Sequence, residues 1–327
     1  MDTRRLEAFI KVVDLGSVTR ASKLLNVAQP ALSQQIASLE SDFKRQLLVR
    51  SARGVKPTEA GQILYRYAKS IQRQIDEARR SILDNNPGVT GNVTIGLAPL
   101  SSAALLATPL LMLVRERYPG VVLHIYDSSG VMLSEMMLKG SMDMAVLYGD
   151  RPVVGLDYKP LMREHFYLVA PRSMYSEQVP SEEVSAEEVA QFDLLLPYRD
   201  SFLRQTVERV CAEVGLRPRI VAEIHSQSTL SSAIAAGMGA AVLPMSIAMA
   251  LPNLNELCIR RIDAPSASQQ MSLCISDNVA LSDAAFAVYK ILLEIIAQTW
   301  GNSTALASSA GAPDPAPLPL NGEGSDL

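Results

Sequence analysis

Ser17-Val-Thr-Arg-Ala-Ser-Lys-Leu-Leu-Asn-Val-Ala-Gln-Pro-Ala-Leu-Ser-Gln-Gln-Ile-Ala-Ser-Leu-Glu40 is the stretch on which the reading of the chain depends. Its spacing predicts two short helices joined by a tight turn. Ser17 is placed to cap the first, over residues 18–25, by accepting an N–H that the helix leaves unpaired. Asn26-Val27-Ala28 makes the turn, since Asn tolerates a left-handed backbone. Pro30 fits the first turn of the second helix, where a missing N–H costs little. There Leu32, Ile36 and Leu39 lie four and three residues apart, so they share one buried face. Gln29, Pro30, Ser33 and Gln34 face elsewhere. A helix held by its back and showing short polar groups at its front suits the DNA major groove. Gln pairs with adenine N6 and N7, Ser donates or accepts, and Pro can touch a thymine methyl. Spacing alone leaves an ordinary helical bundle equally open.

The residues that follow favour DNA. Leu47-Leu-Val-Arg50 reads as a strand, and Ser51-Ala-Arg-Gly-Val-Lys-Pro-Thr58 as a basic Gly- and Pro-containing loop. Strand, basic turn and return form a wing, and an Arg at a wing tip can enter a narrow minor groove. Arg50, Arg53 and Lys56 are therefore candidates for phosphate or minor-groove contacts, beside Gln29, Pro30, Ser33 and Gln34 for base edges.

On these residues, residues 6–61 resemble the winged helix-turn-helix of LysR-type transcriptional regulators. The resemblance rests on Leu6, Phe9, Ala21, Leu24, Val27, Gln29, Pro30, Ala31, Leu32, Ser33, Ile36, Leu39, Glu40, Leu47, Arg50, Arg53, Thr58, Ala60 and Gly61. Ala28-Gln-Pro-Ala-Leu-Ser-Gln-Gln35 and Arg53-Gly-Val-Lys-Pro-Thr58 are most similar to the nitrogen assimilation control subgroup. Gln34 stands where many members carry Arg, and Leu48 where many carry Phe. The resemblance implies a regulator that binds double-stranded DNA as a homodimer or homotetramer and engages RNA polymerase.

The charge distribution agrees. The chain of 327 residues has a formal net charge of −4, which by itself argues against nucleic acid. Residues 1–80, however, hold 15 Lys and Arg against 8 Asp and Glu, leaving 15 against 26 for the remainder. A basic head on an acidic body is the footprint of one DNA-binding module joined to a different one. A hydrophobic fraction of 48% fits a globular protein, and no apolar run is long enough to span a bilayer. Cys211, Cys258 and Cys274 are isolated and make no CxxC pair, so buried thiols in a reducing cytoplasm are expected rather than disulfides or a metal site.

Leu6, Phe9, Ile10 and Val13 place one face of a helix over residues 4–15 against Leu24, Leu32 and Ile36. Beyond Thr58, Ala60, Leu64, Tyr67, Ile71, Ile75, Ala78 and Ile82 recur at intervals of four or three, then Asn85-Asn86-Pro87-Gly88 stops the helix. A seam that long suits a coiled coil between two chains, although packing on the following domain would also bury it. The expected organisation is α/β overall. Residues 1–58 form a winged helix-turn-helix, 59–90 a linker and dimerisation helix with a hinge, 91–300 a two-lobed regulatory domain, and 301–327 a disordered tail rich in Ala, Ser, Gly and Pro.

Over 91–300, strands and helices alternate. Met144-Ala-Val-Leu-Tyr148 and Ala240-Ala-Val-Leu-Pro244 are apolar enough for strands buried on both faces. Helices are expected at 102–118, 131–139, 202–214, 229–236 and 282–300. This part is similar to the LysR effector domain, most clearly in Ile224-His-Ser-Gln-Ser-Thr-Leu230 and on to Pro244. That similarity implies two Rossmann-like lobes of periplasmic-binding-protein type with a cleft between them. The chain would cross between the lobes near 163–165 and 269–272.

Ser101 and Ser102, Ser128 and Ser129, and Ser226, Ser228 and Thr229 each fall between a strand and a helix start. Their hydroxyls and unpaired N–H groups can hold a small carboxylate or amino-acid-like effector, or simply cap their own helices. An effector-independent regulator controlled by its own abundance, and a small-molecule sensor with secondary DNA binding, remain alternatives. Catalytic patterns are absent. His225 beside Ser226 lacks a third orienting group, and Gly237-Met-Gly239 follows a helix rather than opening one, so it is no cofactor loop. No cofactor is expected. The methionines at 132, 136, 137, 142 and 144 read as adaptable packing.

Overall fold

A computed structural model describes residues 2–51, 54–83, 88–149, 153–175, 181–277 and 279–300. The expected stop at 85–87, the tail at 301–327 and Arg53 lie outside them. Helix α1 (Thr3–Leu15) ends at Gly16, which is left-handed at φ 60°. Helix α2 (Val18–Leu24) begins at Ser17, whose hydroxyl accepts the Arg20 N–H. Asn26 takes φ 53°, the left-handed turn its side chain tolerates. Helix α3 (Gln29–Phe43) carries Pro30 in its first turn. Leu32, Ile36 and Leu39 are fully buried in one cluster with Leu6, Phe9 and Ile10 of α1.

Leu24 does not join that core. It is 59% exposed, and Leu25 packs there instead. Neighbouring residues are roughly 100° apart around a helix, and the chain leaves α2 at Leu25, which turns that side chain inward.

Strands β1 (Leu48–Ser51) and β2 (Gly54–Pro57) form an antiparallel wing. The wing docks on the head through its backbone. The Val55 N–H donates to the Gly16 carbonyl at 2.9 Å. A Cβ on Gly54, at φ 120°, would stand 2.6 Å from that same carbonyl oxygen, so this approach needs glycine. Helix α4 (Glu59–Leu83) then splits its apolar residues. Leu64 and Ala68 complete the head core, while Ile63, Tyr67 and Ile82 stay exposed.

The second half contains β3 (Thr90–Leu97), α5 (Ala107–Arg117), β4 (Gly120–Asp127), α6 (Gly130–Leu138), β5 (Met144–Tyr148) and β6 (Leu156–Pro171). It continues with β7 (Glu183–Ser185), α7 (Ala186–Gln191), β8 (Asp193–Leu196), α8 (Phe202–Glu213), β9 (Arg219–Glu223) and α9 (Gln227–Ala235). Strand β10 (Ala241–Pro244), α10 (Met245–Ala248), β11 (Leu257–Asp263), β12 (Ser268–Ser276) and α11 (Asp283–Trp300) complete it. In the first lobe, β4, β3 and β5 are parallel, and β12 runs antiparallel to β5. In the second, β10 and β11 flank β6, β7 joins β11, and parallel β8 and β9 are linked to this lobe by a bridge from Leu194 to Ala240. Strand β6 belongs to both lobes: residues 156–165 pair with β12, and 166–171 with β10 and β11. Arg163, Glu164 and His165 face Gln270, Gln269 and Ser268 at this crossing, where the family resemblance implied it.

Two departures have local causes. The helix expected over 102–118 is a 3-10 turn at Ser102–Leu106 followed by α5. Pro109 has no N–H to give the carbonyl of Leu105, so a continuous α ladder cannot form there. Strand β11 was not expected, because Arg260 and Arg261 interrupt its apolar pattern. Arg260 is 5% exposed and is saturated by the Glu188 carboxylate, Ser181 and the Glu183 carbonyl. Met137, Met142 and Met144 are buried packing residues. Among the described residues no helix is long and apolar enough to cross a membrane.

Candidate nucleic-acid interface and inter-lobe cleft

The front of α3 is open to solvent. Gln29, Pro30 and Gln34 are exposed and Ser33 is half-buried, while the back of the same helix is sealed in the core. Arg5 of α1 donates to Ser38 Oγ at 2.8 Å and pins α3 from the side. The Thr19 hydroxyl donates to Gln29 Oε1 at 3.4 Å, which leaves the Gln29 amide N–H groups free to point outward. Thr19 carried no signal in the sequence. It precedes Gln29 by ten residues, and only the closed turn brings the two together.

Glu40 ties the wing to α3. One of its carboxylate oxygens accepts both the Leu47 and the Leu48 N–H, at 2.8 and 3.2 Å. Thr58 fixes the other end, donating to the Gln46 carbonyl at 2.7 Å and accepting the Gly61 N–H at 3.0 Å. A Cβ on Gly61 would meet the Leu47 carbonyl oxygen at 2.0 Å, which explains the glycine. Arg50 and Lys56 are both exposed but not on one face. The register sets Arg50 opposite Val55 and Lys56 opposite Val49, and cross-strand partners share a face. The two cations therefore bracket the ribbon. Arg20 and Lys23 on α2 add exposed positive charge that the sequence reading left unassigned.

In the second half, the serines mostly serve their own helices. Ser101 accepts the Ala103 N–H and donates to the Ala98 carbonyl, Ser129 accepts the Met132 N–H, and Ser226 accepts the Thr229 N–H. Ser226 and Ser228 share a hydrogen bond at 2.8 Å, and Ser226, Ser228 and Thr229 are exposed; Ser128 is half-buried. Ser102 alone reaches across. It is fully buried, donates to the Glu164 carboxylate and lies 2.5 Å from Ser246 Oγ. The ring of Tyr148, at the end of β5, stacks on that of Phe202, at the start of α8, with centroids 3.8 Å apart. These contacts join the lobes. Neither Glu164 nor Ser246 was singled out in the sequence, where a Glu in Arg163-Glu-His165 reads as strand surface.

His225 lies against the Tyr198 ring, centroids 4.6 Å apart. All three cysteines are buried; burial pushes Cys211 up to about 11 and raises Cys274 further, so both are held as unreactive thiols. Among the described residues no cluster of three or more His, Cys, Asp or Glu could hold a metal ion.

Comparison with known proteins matches residues 3–62 to the bacterial regulatory helix-turn-helix protein, lysR family, and residues 86–296 to the LysR substrate binding domain. The nitrogen assimilation regulatory protein nac of Klebsiella aerogenes is 44% identical over 300 residues, 91% of this chain and 96% of that protein. The protein of the same name from Escherichia coli strain K12 is 39% identical over 296 residues, 90% of this chain and 95% of its own length. Among solved structures, ArgP from Mycobacterium tuberculosis superposes with a TM-score of 0.71 at 22% identity, covering 90% of this chain and 97% of that one.

Proposed function

The chain belongs to the LysR family of DNA-binding transcriptional regulators, close to the nitrogen assimilation regulatory proteins, and on that premise we propose that it controls nitrogen-metabolism genes by reading an inverted-repeat operator as a dimer or dimer of dimers. The observation that carries this reading is the division of α3, with Leu32, Ile36 and Leu39 sealed behind and Gln29, Pro30 and Gln34 exposed in front. In this reading Gln29, Pro30, Ser33 and Gln34 contact base edges. Arg50, Lys56 and, beyond the described residues, Arg53 neutralise phosphate or enter the minor groove. The head comprises residues 1–58, the linker 59–90 and the regulatory half 91–300.

Dimerisation is supported by an apolar groove of about 490 Å³ along α4, lined by Phe43, Leu47, Ala60, Ile63, Tyr67 and Ile71. The occupant that fits it is α4 of a second copy, which continues the apolar seam and sets two recognition helices on half-sites roughly one DNA turn apart. Selection of bound sequences from random duplex DNA by the full chain tests the whole reading. It should enrich an inverted repeat. Failure to enrich any sequence at low salt, by protein that is folded, would refute it.

A further inference from the structure

Glu164 is a carboxylate in an unusual place. It lies on β6 where the strand passes from one lobe to the other, opposite Gln269, and is 3% exposed. A buried carboxylate is retained only where hydrogen-bond donors meet it. Ser102, fully buried at the start of the 3-10 turn of the first lobe, gives its hydroxyl proton to Glu164 Oε1. A hydroxyl has one proton, so the 2.5 Å contact between Ser102 and Ser246 takes its proton from Ser246. The result is a directed relay, Ser246 to Ser102 to Glu164, that starts in α10 of the second lobe and ends on a carboxylate at the crossing. Ser101 has no proton to give the carboxylate, because its hydroxyl already donates to the Ala98 carbonyl.

We propose that Glu164 is a tethered ligand: its side-chain carboxylate accepts the hydroxyl of Ser102, which Ser246 in turn holds, in the place a small carboxylate would take, and so latches the two lobes together without an external effector. A free carboxylate would have to displace one that is already in place and carries no association cost, since the chain holds it at a very high effective concentration. The Tyr148–Phe202 stack at 3.8 Å closes the lobes beside the same crossing and favours the joined state. The seat accepts a monocarboxylate no larger than the group it replaces, of the size of formate or acetate. The inference stands on the cleft alone and does not depend on the DNA reading.

Removing the tether should convert the chain into a carboxylate binder. In the full-length protein, Glu164→Ala should lower the melting temperature of the regulatory half by at least about 2 °C. Millimolar formate or acetate should restore it in a saturable way that chloride does not reproduce. The wild-type protein should show no saturable shift with any of these anions. Saturable acetate binding by the wild type, or a Glu164→Ala protein that folds and ignores both carboxylates, would overturn the proposal. Ser246→Ala keeps the carboxylate and cuts only the link to the second lobe, so it serves if Glu164→Ala does not fold. It should speed amide hydrogen exchange in both Ser102–Leu106 and α10; an increase confined to α10 would mark a local role and contradict the latch.

Discussion

The head and the inter-lobe cleft use polar side chains in opposite ways. On α3, Gln29 and Gln34 are exposed, and the hydrogen bond between Thr19 and Gln29 fixes the amide without covering it. In the cleft, Ser101 and Ser102 are fully buried, Glu164 is 3% exposed, and the serines are bonded to other groups of the chain. A polar group left facing water keeps its bonding capacity for a partner, whereas a buried one must be matched inside the fold. The first arrangement leaves recognition to an outside molecule. The second completes its own recognition, which is why similar residue types with similar helix-start signals have different consequences.

The separation between the two regions can be broken most forcefully at Ile36. It is fully buried in the head cluster, which shares no residue with the cluster of the second half. Ile36→Ala should cost about 2–5 kcal/mol of head stability. Calorimetry should show the head transition falling while that of the second half is unchanged, with DNA binding reduced in step. Gln34→Ala acts on the outward face without touching the core. It should lose about 1–3 kcal/mol of discrimination at a single base-pair position, read by competition between operator variants, with thermal stability unchanged.

Ser129→Ala provides the matching change on the regulatory side. It removes the hydroxyl that accepts the Met132 N–H and should destabilise the second half by about 1 kcal/mol, leaving base discrimination as it was. Lys56→Ala should have the smallest effect. It should weaken binding to all sequences alike and reduce the slope of log affinity against log salt by about 1. A change in sequence preference on Lys56→Ala would move that side chain from phosphate to base contact.

The head was legible because its signals are local. The four-and-three spacing of Leu32, Ile36 and Leu39, the Ser17 cap and the Asn26 turn each lie within a few residues and agree with one another. The misplacement of Leu24 shows the limit: which of two adjacent leucines is buried depends on where the helix ends, and periodicity does not resolve one residue. In the second half, the alternation of strands and helices could be read and the family resemblance implied the crossing near Glu164, but the partners across the cleft could not be read. Ser102 precedes Glu164 by 62 residues and Ser246 by 144. Arg260 hid β11 for the same reason, since the Glu188 that neutralises it lies 72 residues earlier. A buried charge looks like a surface charge until its partner is known.

The most direct test of the account is a quantitative nuclease footprint of the wild-type protein and Gln34→Ala on the selected operator and on operators changed one base pair at a time. Wild type should discriminate at several positions in each half-site, and Gln34→Ala should lose discrimination at one of them, in both half-sites symmetrically, while retaining the rest. Identical discrimination profiles for the two proteins would contradict the claim that the exposed face of α3 reads the DNA.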